Sequence, residues 1–281
     1  GQDAYVNDAF GVCHRADASV VGPPQFLPSA AGRLVAREVE QLGSLLDEPQ
    51  RPFVVVIGGA KVADKLGLLA VLARKADRVL IGGGMAFTFT RALGESSGAS
   101  LLDESKIDAC RRMLDENESL VLPEDFVAAA PEVELELGGS GGDGSRAARL
   151  AGQIEVVGRS IPDGWSGYDI GPRSAELFSE VIGSAATVLW NGPMGVSEDW
   201  RFASGTKAVA EAVAATPART VVGGGDSVAA LNRLGLAHRI DHVSTGGGAS
   251  LEYLEHGDLP GLEALRMSAA AHPPVRPRAA D

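Results

Sequence analysis

The chain repeats one local pattern five times: a short, largely β-branched apolar run ends in glycine, and a segment compatible with a helix follows. The five stretches occupy residues 53–76, 78–93, 186–199, 219–234 and 241–257. The apolar runs are continuous rather than alternating, which is typical of parallel strands covered on both faces. The pattern therefore predicts βαβ units in an α/β fold with a doubly wound, Rossmann-like parallel sheet.

The segment before the first of these strands has the spacing of an amphipathic helix. Its apolar residues are Leu34, Val35, Val39, Leu42 and Leu45. The breaker DEPQRP follows, so we predict a hinge helix between two structural units, with the boundary within residues 30–50. The glycine-rich stretch 138–149 is expected to be a flexible surface loop, and the tail 266–281 has no core pattern.

Composition restricts the classes of partner. The chain has 281 residues and a formal net charge of −12. This charge argues against a nucleic-acid or membrane-surface role, but a locally basic cleft could still bind a small anion. The two cysteines, Cys13 and Cys110, are far apart, and no apolar run approaches about 18 residues. We therefore expect a cytoplasmic protein without disulfides or a transmembrane helix.

Glycine is over-represented, at 36 of 281 residues or about 13%, against a usual ~7%. In an open parallel sheet, ligands bind outside the carboxyl ends of the strands. A glycine turn there lets backbone N–H groups approach the ligand, and the positive end of the next helix favours an anion. One such cluster could equally be a tight turn, but five favour a phosphate-binding rim. GGAKVADK does not match a P-loop, and no predicted strand is followed by GxGxxG.

Four features within this rim are candidates for chemistry. Lys61 and Lys65 are four residues apart, which predicts one face at the start of a helix and contacts to phosphate, although both could be surface lysines. Asp226 could be an N-cap or could contact Mg²⁺. STGGGAS, at 244–250, offers consecutive N–H groups to a transferring phosphoryl group.

Six motifs, in this order, closely resemble the phosphoglycerate kinase family. They are YVNDAFGVCHRADASVVG, GGAKVADK, IGGGMAFTF, WNGPMGV, GGGDS and STGGGASLEYLE. The resemblance runs from about residue 3 to about residue 265. It implies a monomeric two-domain kinase that moves a phosphoryl group between 1,3-bisphosphoglycerate and Mg-ADP, giving 3-phosphoglycerate and Mg-ATP. It also implies in-line transfer without a covalent enzyme intermediate.

The resemblance further implies roles for single residues. Arg15 matches the arginine that grips phosphoglycerate, Lys61 the lysine that follows the phosphoryl group, and Lys65 the lysine on the nucleotide phosphates. Asp226 matches the metal-linked carboxylate, and Glu198 the acceptor for the ribose hydroxyls. The implied catalytic set is Lys61, Gly246, Gly247 and Gly248. The implied nucleotide-binding set is Gly59, Ala60, Lys65, Gly83, Gly84, Gly167, Tyr168, Asn191, Pro193, Glu198, Gly223, Gly224, Gly225, Asp226 and Ser227.

The chain also departs from the family pattern. Tyr168 stands where leucine is common, Ser197 replaces the usual aromatic residue before Glu198, and 138–149 looks like an insertion. About the first third of the family's length, including its arginine-rich patch, has no counterpart here. We therefore expect residues 1–29 to be the remnant of a phosphoglycerate-binding domain, 30–50 the hinge helix, and 51–265 the nucleotide-binding domain.

Two expectations follow for the chain as it stands. The kinase activity of this chain alone should be weak or absent, and the alternative function is a module that binds Mg-ADP or Mg-ATP without transferring phosphate. The first 30 residues, an incomplete α/β domain, should expose strand edge and apolar side chains. Those side chains are Phe10, Val20, Val21, Phe26 and Leu27.

Overall fold

The computed structural model describes residues 1–137 and 153–271. The predicted loop at 138–149 and the end of the predicted tail lie outside these residues. The chain forms two compact units. The sheet unit is Pro49–Val243, and the terminal unit joins residues 1–48 to the described residues from 244 onward.

A six-stranded sheet organises the sheet unit. Its strands are β3 (Phe53–Ile57), β4 (Arg78–Ile81), β5 (Leu120–Val121), β9 (Thr187–Asn191), β10 (Arg219–Gly223) and β11 (His242–Val243), in the order β11-β10-β9-β3-β4-β5. Each pairing between neighbouring strands is parallel. The predicted doubly wound α/β sheet is confirmed. The strand order reverses between β3 and β9, which is the place where open α/β sheets bind ligands.

Helices cover the sheet because its strands are apolar on both faces. The helices of this unit are α3 (Leu66–Leu72), α4 (Ala86–Ala92), α5 (Ile107–Glu116), α6 (Pro172–Gly183), α7 (Ser204–Ala215) and α8 (Gly225–Arg233). Val54 and Val56 point to one face of β3 and pack in a core with Phe178 of α6 and Val209 of α7. Val55 points to the opposite face and is also fully buried.

A second, smaller sheet in this unit was not predicted from the sequence. Its strands are β6 (Phe126–Ala129), β7 (Ile154–Val157) and β8 (Ser166–Ile170), with β6 in the centre and both pairings antiparallel. A register shift interrupts the pairing of β6 with β8. β8 carries Gly167, Tyr168 and Asp169, so it has no continuous apolar run by which it could have been recognised.

The terminal unit combines the two ends of the described chain. It contains the parallel pair β1 (Tyr5–Asn7) and β2 (Ser29–Ala31) with the helices α1 (Ala18–Val21), α2 (Arg33–Leu46), α9 (Gly248–His256) and α10 (Pro260–Ala271). The helix predicted from the spacing of residues 30–46 is therefore present as α2. These compact units do not follow the predicted domain ranges 1–29, 30–50, 51–265 and 266–281, which stay predictions about functional domains.

Two expectations about the ends of the chain are wrong. Phe10 and Val20 were expected to be exposed, yet both are buried. The ring of Phe10 meets that of Tyr253 edge-on at 6.2 Å, and α10 closes over Val20 at Gly261. Phe26 is 78% exposed, as expected. Residues 266–271 of the predicted tail belong to α10, where Ser268 is buried.

Among the described residues, no helix combines the length and the apolar character needed to span a bilayer.

Candidate functional site

A cavity of about 480 Å³ opens at the carboxyl ends of the parallel strands in the sheet unit. Nine residues of the predicted nucleotide-binding set line it: Gly59, Ala60, Gly83, Gly84, Gly167, Tyr168, Pro193, Glu198 and Asp226. The resemblance assigned these residues from five separate stretches of sequence. Four of the stretches follow β3, β4, β9 and β10, whose carboxyl ends meet at one edge because the strands are parallel. The fifth, Gly167 and Tyr168, lies within β8 of the small antiparallel sheet.

Two glycines allow the strand ends to approach each other. Gly83, after β4, has φ +66°, and a Cβ there would lie 2.5 Å from the backbone nitrogen of Gly59. Gly192, after β9, has φ +95°, and a Cβ there would lie 2.3 Å from the carbonyl oxygen of Gly58. Both positions therefore require glycine for backbone conformation and for space.

Lys65 spans the point where the strand order reverses. Its Nζ donates to the carbonyl oxygen of Gly58 at 2.7 Å, to Oδ1 of Asn191 at 2.7 Å and to the carbonyl oxygen of Asn191 at 3.3 Å. Burial lowers the pKa of this ammonium to about 8, although the nearby carboxylates of Asp226 and Asp64 oppose the shift. A further anion beside Lys65 would therefore stabilise the charged form of its ammonium.

The expectation that Lys61 and Lys65 share one helix face is wrong. A 3₁₀ turn covers Ala63–Lys65, and α3 begins only at Leu66. Lys61 precedes that turn and is exposed, whereas Lys65 is half-buried. The two lysines therefore differ in environment: Lys65 is held by hydrogen bonds, and Lys61 extends into solvent.

Asp226 and Ser227 are neighbours in the first turn of α8, but their side chains have different surroundings. The N-cap of this helix is Gly224, so Asp226 stands in the first turn and the N-cap alternative for its carboxylate is wrong. Asp226 is exposed and lines the cavity. Ser227 is buried, and its Oγ accepts from the backbone N–H of Gly192 at 2.6 Å. Ser227 thus holds the turn after β9 through a buried hydrogen bond.

The other end of the cavity is apolar, with Phe87, Leu101 and Tyr168 in its wall. The ring of Tyr168 packs against that of Phe202, with centroids 4.9 Å apart. At Gly167 a Cβ would lie 2.4 Å from the ring of Phe87, so this wall leaves no room for a side chain. A flat aromatic ring fits such surroundings, while the glycine amides suit anionic groups.

Asp169 also lines the cavity. Its carboxylate accepts from the backbone N–H groups of Ile170 at 2.9 Å and of Gly205 at 2.7 Å, in the first turn of α7. Burial raises its pKa to about 7, although these hydrogen bonds oppose the shift. Sequence reasoning missed this residue, since an aspartate in a short strand carries no motif.

The remaining predicted residues, Arg15 and Gly246–Gly248, lie in the terminal unit. Arg15 is exposed. Gly247 is the N-cap of α9, with φ +54° and ψ −120°, and the backbone N–H and Oγ1 of the preceding Thr245 donate to Oε1 of Glu38 at 2.8 and 3.0 Å. Glu38 is only 2% exposed. Sequence reasoning missed it, although it falls on the same helical stripe as Val35 and Leu42.

No group of three or more His, Cys, Asp or Glu side chains that could hold a metal ion occurs in residues 1–137 or 153–271. Asp226 and Glu198 are exposed carboxylates that line the cavity, and Asp226 directly follows the glycines 223–225. Mg²⁺ commonly takes one or two protein carboxylates together with substrate phosphates. The residues present thus fit a metal ion that arrives with a nucleotide.

The sheet and its cavity place the chain among the α/β proteins with a nucleotide-binding fold. The family model described as phosphoglycerate kinase matches residues 1–257, and the chain belongs to this family. A phosphoglycerate kinase of Frankia casuarinae is 52% identical over 263 residues, which are 93% of this chain and 62% of that protein. A phosphoglycerate kinase of Thermus thermophilus is 50% identical over 271 residues, 94% of this chain and 65% of that protein.

Two solved structures of phosphoglycerate kinases are also similar to this chain. A phosphoglycerate kinase structure from Coxiella burnetii matches with a TM-score of 0.84 and 38% identity, over 95% of this chain and 67% of that one. A second, from Pyrococcus horikoshii, matches with a TM-score of 0.80 and 34% identity, over 95% and 65%. The chain thus spans somewhat less than two thirds of the length of the curated relatives that it matches.

Proposed function

We propose that this chain carries the nucleotide site of a phosphoglycerate kinase. The reaction is reversible phosphoryl transfer between 1,3-bisphosphoglycerate and Mg-ADP, giving 3-phosphoglycerate and Mg-ATP. The observation that carries this proposal is the cavity in which a glycine rim, Asp226 and an apolar wall adjoin Lys65 at the reversal of strand order. Membership of the family supports the choice of reaction.

The nucleotide is expected to extend across the cavity. Its base would lie against Gly167 and Tyr168 at the apolar wall, and Glu198 would accept hydrogen bonds from the ribose hydroxyls. The phosphates would accept hydrogen bonds from backbone N–H groups of the glycine rim and from the ammonium of Lys65. Asp226 would hold the Mg²⁺ that neutralises phosphate charge.

The chemical step needs positioning and charge, with no covalent intermediate on the protein. An oxygen of the ADP β-phosphate attacks the phosphorus of the acyl phosphate. A new P–O bond to ADP forms while the P–O bond to the carboxylate breaks and 3-phosphoglycerate leaves. The ammonium of Lys61 would stay in contact with the phosphoryl group during its transfer. Backbone N–H groups of Gly246, Gly247 and Gly248 would donate hydrogen bonds to the same group. Arg15 would bind phosphoglycerate.

One observation favours the alternative function for this chain by itself. The chain matches only 62–65% of the length of its curated relatives. If the remaining third supplies charges that stabilise the transition state, this chain binds Mg-ADP but transfers phosphate weakly. Loss of a single such contact typically costs about 10²–10³ in rate. We further propose small-molecule substrates, a monomeric state and a cytoplasmic location, without nucleic-acid partners.

The deciding experiment measures binding and turnover on one sample. Mg-ADP is titrated into the chain by calorimetry, and a coupled assay follows ATP and 3-phosphoglycerate turnover, with Thermus thermophilus phosphoglycerate kinase as positive control. We expect binding, with turnover at least about 100-fold below the control. Absence of Mg-ADP binding would overturn the nucleotide site. Turnover equal to that of the control would overturn the expected impairment.

A further inference from the structure

A buried ion cluster lies beside the ribose end of the cavity. The Arg201 side chain is 5% exposed and that of Asp199 is fully buried. The guanidinium donates from Nε to Oδ1 of Asp199 at 2.9 Å and from Nη2 to Oδ2 at 2.5 Å, so both carboxylate oxygens are engaged. Burial alone would raise the pKa of Asp199, but Arg201 and two backbone N–H groups hold it below its usual range.

The same cluster ties in a second segment of the chain. Nη2 of Arg201 also donates to the carbonyl oxygen of Glu134 at 2.7 Å, and Nη1 lies 3.5 Å from Oε1 of Glu136. The backbone N–H of Glu136 donates to Oδ2 of Asp199 at 2.8 Å. Arg201 therefore fixes the segment 134–136 against the segment 198–202.

Two routes connect this cluster to the cavity. Asp199 directly follows Glu198, whose side chain lines the cavity. On the other side, the guanidinium lies 5.4 Å from the centre of the Phe202 ring, and Phe202 packs against Tyr168, which also lines the cavity. The backbone also links the two sides, because the N–H of Val196, two residues before Glu198, donates to the carbonyl oxygen of Tyr168 at 2.8 Å.

We propose that Arg201 is a positioning residue of the nucleotide site, which presets Glu198 for the ribose hydroxyls. This inference rests on the nucleotide site proposed above. Buried ion pairs add little net stability over apolar residues of similar volume, and their best-attested use is to specify one arrangement. Holding an exposed side chain such as Glu198 before the ligand arrives reduces the ordering cost of binding.

The test compares Mg-ADP with Mg-2′,3′-dideoxy-ADP, which lacks both ribose hydroxyls. The ratio of their dissociation constants isolates the contribution of the hydroxyls. We expect wild type to prefer ADP by about 3- to 10-fold, and Arg201→Met to reduce this preference below about 2-fold. A merely structural loss would weaken both nucleotides equally and leave the ratio unchanged.

Two further variants keep the test decisive. Arg173→Met is the matched control, because Arg173 pairs with the buried Asp125 at 3.5 Å but does not line the cavity. It should keep the wild-type ratio. Arg201→Lys keeps the charge but loses the planar pair of donors, so it should reduce the ratio partly, and it replaces Arg201→Met if that variant does not fold.

The outcomes separate the two proposals. A wild-type chain that does not bind Mg-ADP overturns the proposed function and this inference together. A wild-type ratio near 1 overturns the ribose role of Glu198 and the positioning role that depends on it. A normal ratio in wild type that persists in folded Arg201 variants overturns the positioning role alone.

Discussion

The ammonium nitrogen of Lys65 lies 2.7 Å from the side-chain oxygen of Asn191, so a residue just before α3 is bonded to the end of β9, 126 positions further along the chain. A second bond of the same length to the Gly58 carbonyl completes a bridge between the two strands that flank the reversal of strand order. The charge of Lys65 is thereby fixed where the phosphates of a nucleotide would lie.

Proton uptake should accompany nucleotide binding at Lys65. Its pKa of about 8 means that the amine is only partly protonated near pH 8, and adjacent phosphate would raise this pKa. Binding of Mg-ADP at pH 8 should therefore take up roughly half a proton. Calorimetry in two buffers of different ionisation enthalpy measures this number. At pH 6.5, where the amine is already charged, uptake by this group should vanish, and equal uptake at both pH values would contradict the prediction.

Asp169 should make stability depend on pH in a defined direction. Its pKa in the folded chain, about 7, is above the ordinary value of 3.8. Between these values the folded chain holds a proton that the unfolded chain has released, so stability falls as pH rises from about 4 to about 7. The free energy of unfolding by urea, as wild type minus Asp169→Asn, should fall over this range and be constant above it.

Asp125 provides the contrast for that measurement. It too is buried, but hydrogen bonds from Ser174 and Arg173 outweigh burial and hold its pKa below the ordinary value. Its contribution to stability is therefore present above the unfolded pKa and is lost only at more acid pH. The difference between wild type and Asp125→Asn should be constant from pH 5 to pH 8. A parallel fall for both variants would point to a global cause rather than to Asp169.

Glu38 should stabilise the loop that precedes α9. Glu38→Ala removes the acceptor for the backbone N–H and the hydroxyl of Thr245, which leaves a partly buried donor unsatisfied. We expect a loss of about 1–3 kcal/mol in the free energy of unfolding by urea. Glu38→Gln retains an acceptor oxygen and should cost less. The exposed neighbour Glu40→Ala, expected within about 0.5 kcal/mol of wild type, is the control.

Asp226 should carry the magnesium dependence of ADP binding. Mg²⁺ is expected to tighten ADP binding to wild type, and Asp226→Asn should remove most of that gain, about tenfold in the dissociation constant. Calorimetric titrations with and without Mg²⁺ measure it. Asp64→Asn is the matched control, because Asp64 also acts on the charge of Lys65 but does not line the cavity. An equal loss in both variants would contradict a metal role for Asp226.

The sequence predicted the main sheet and much of the cavity. Continuous apolar runs such as FVVVI are buried on both faces in β3, and the glycines after these runs lie at one edge of the sheet, as parallel strands require. The helical spacing of Leu42 and Leu45 predicted α2. These features were predictable because each follows from the local period at which apolar side chains recur.

Other features had no local signal. Lys61 and Lys65 were placed on one helix from their spacing alone, but a 3₁₀ turn delays the start of α3. Phe10 was expected to be exposed because its covering partner, Tyr253, is more than 240 residues away. The small sheet was missed because β8 mixes glycine, tyrosine and aspartate.

The sequence by itself determined the class of fold, five of the six strands of the main sheet, and the family to which the chain belongs. Only the tertiary structure decided which polar groups meet: Lys65 with Asn191, Glu38 with Thr245, and Arg201 with Glu134 and Glu136. The physical reason is the range of the interactions. Burial of apolar surface repeats with the period of each helix or strand, whereas a hydrogen bond between distant segments depends on how the whole chain packs.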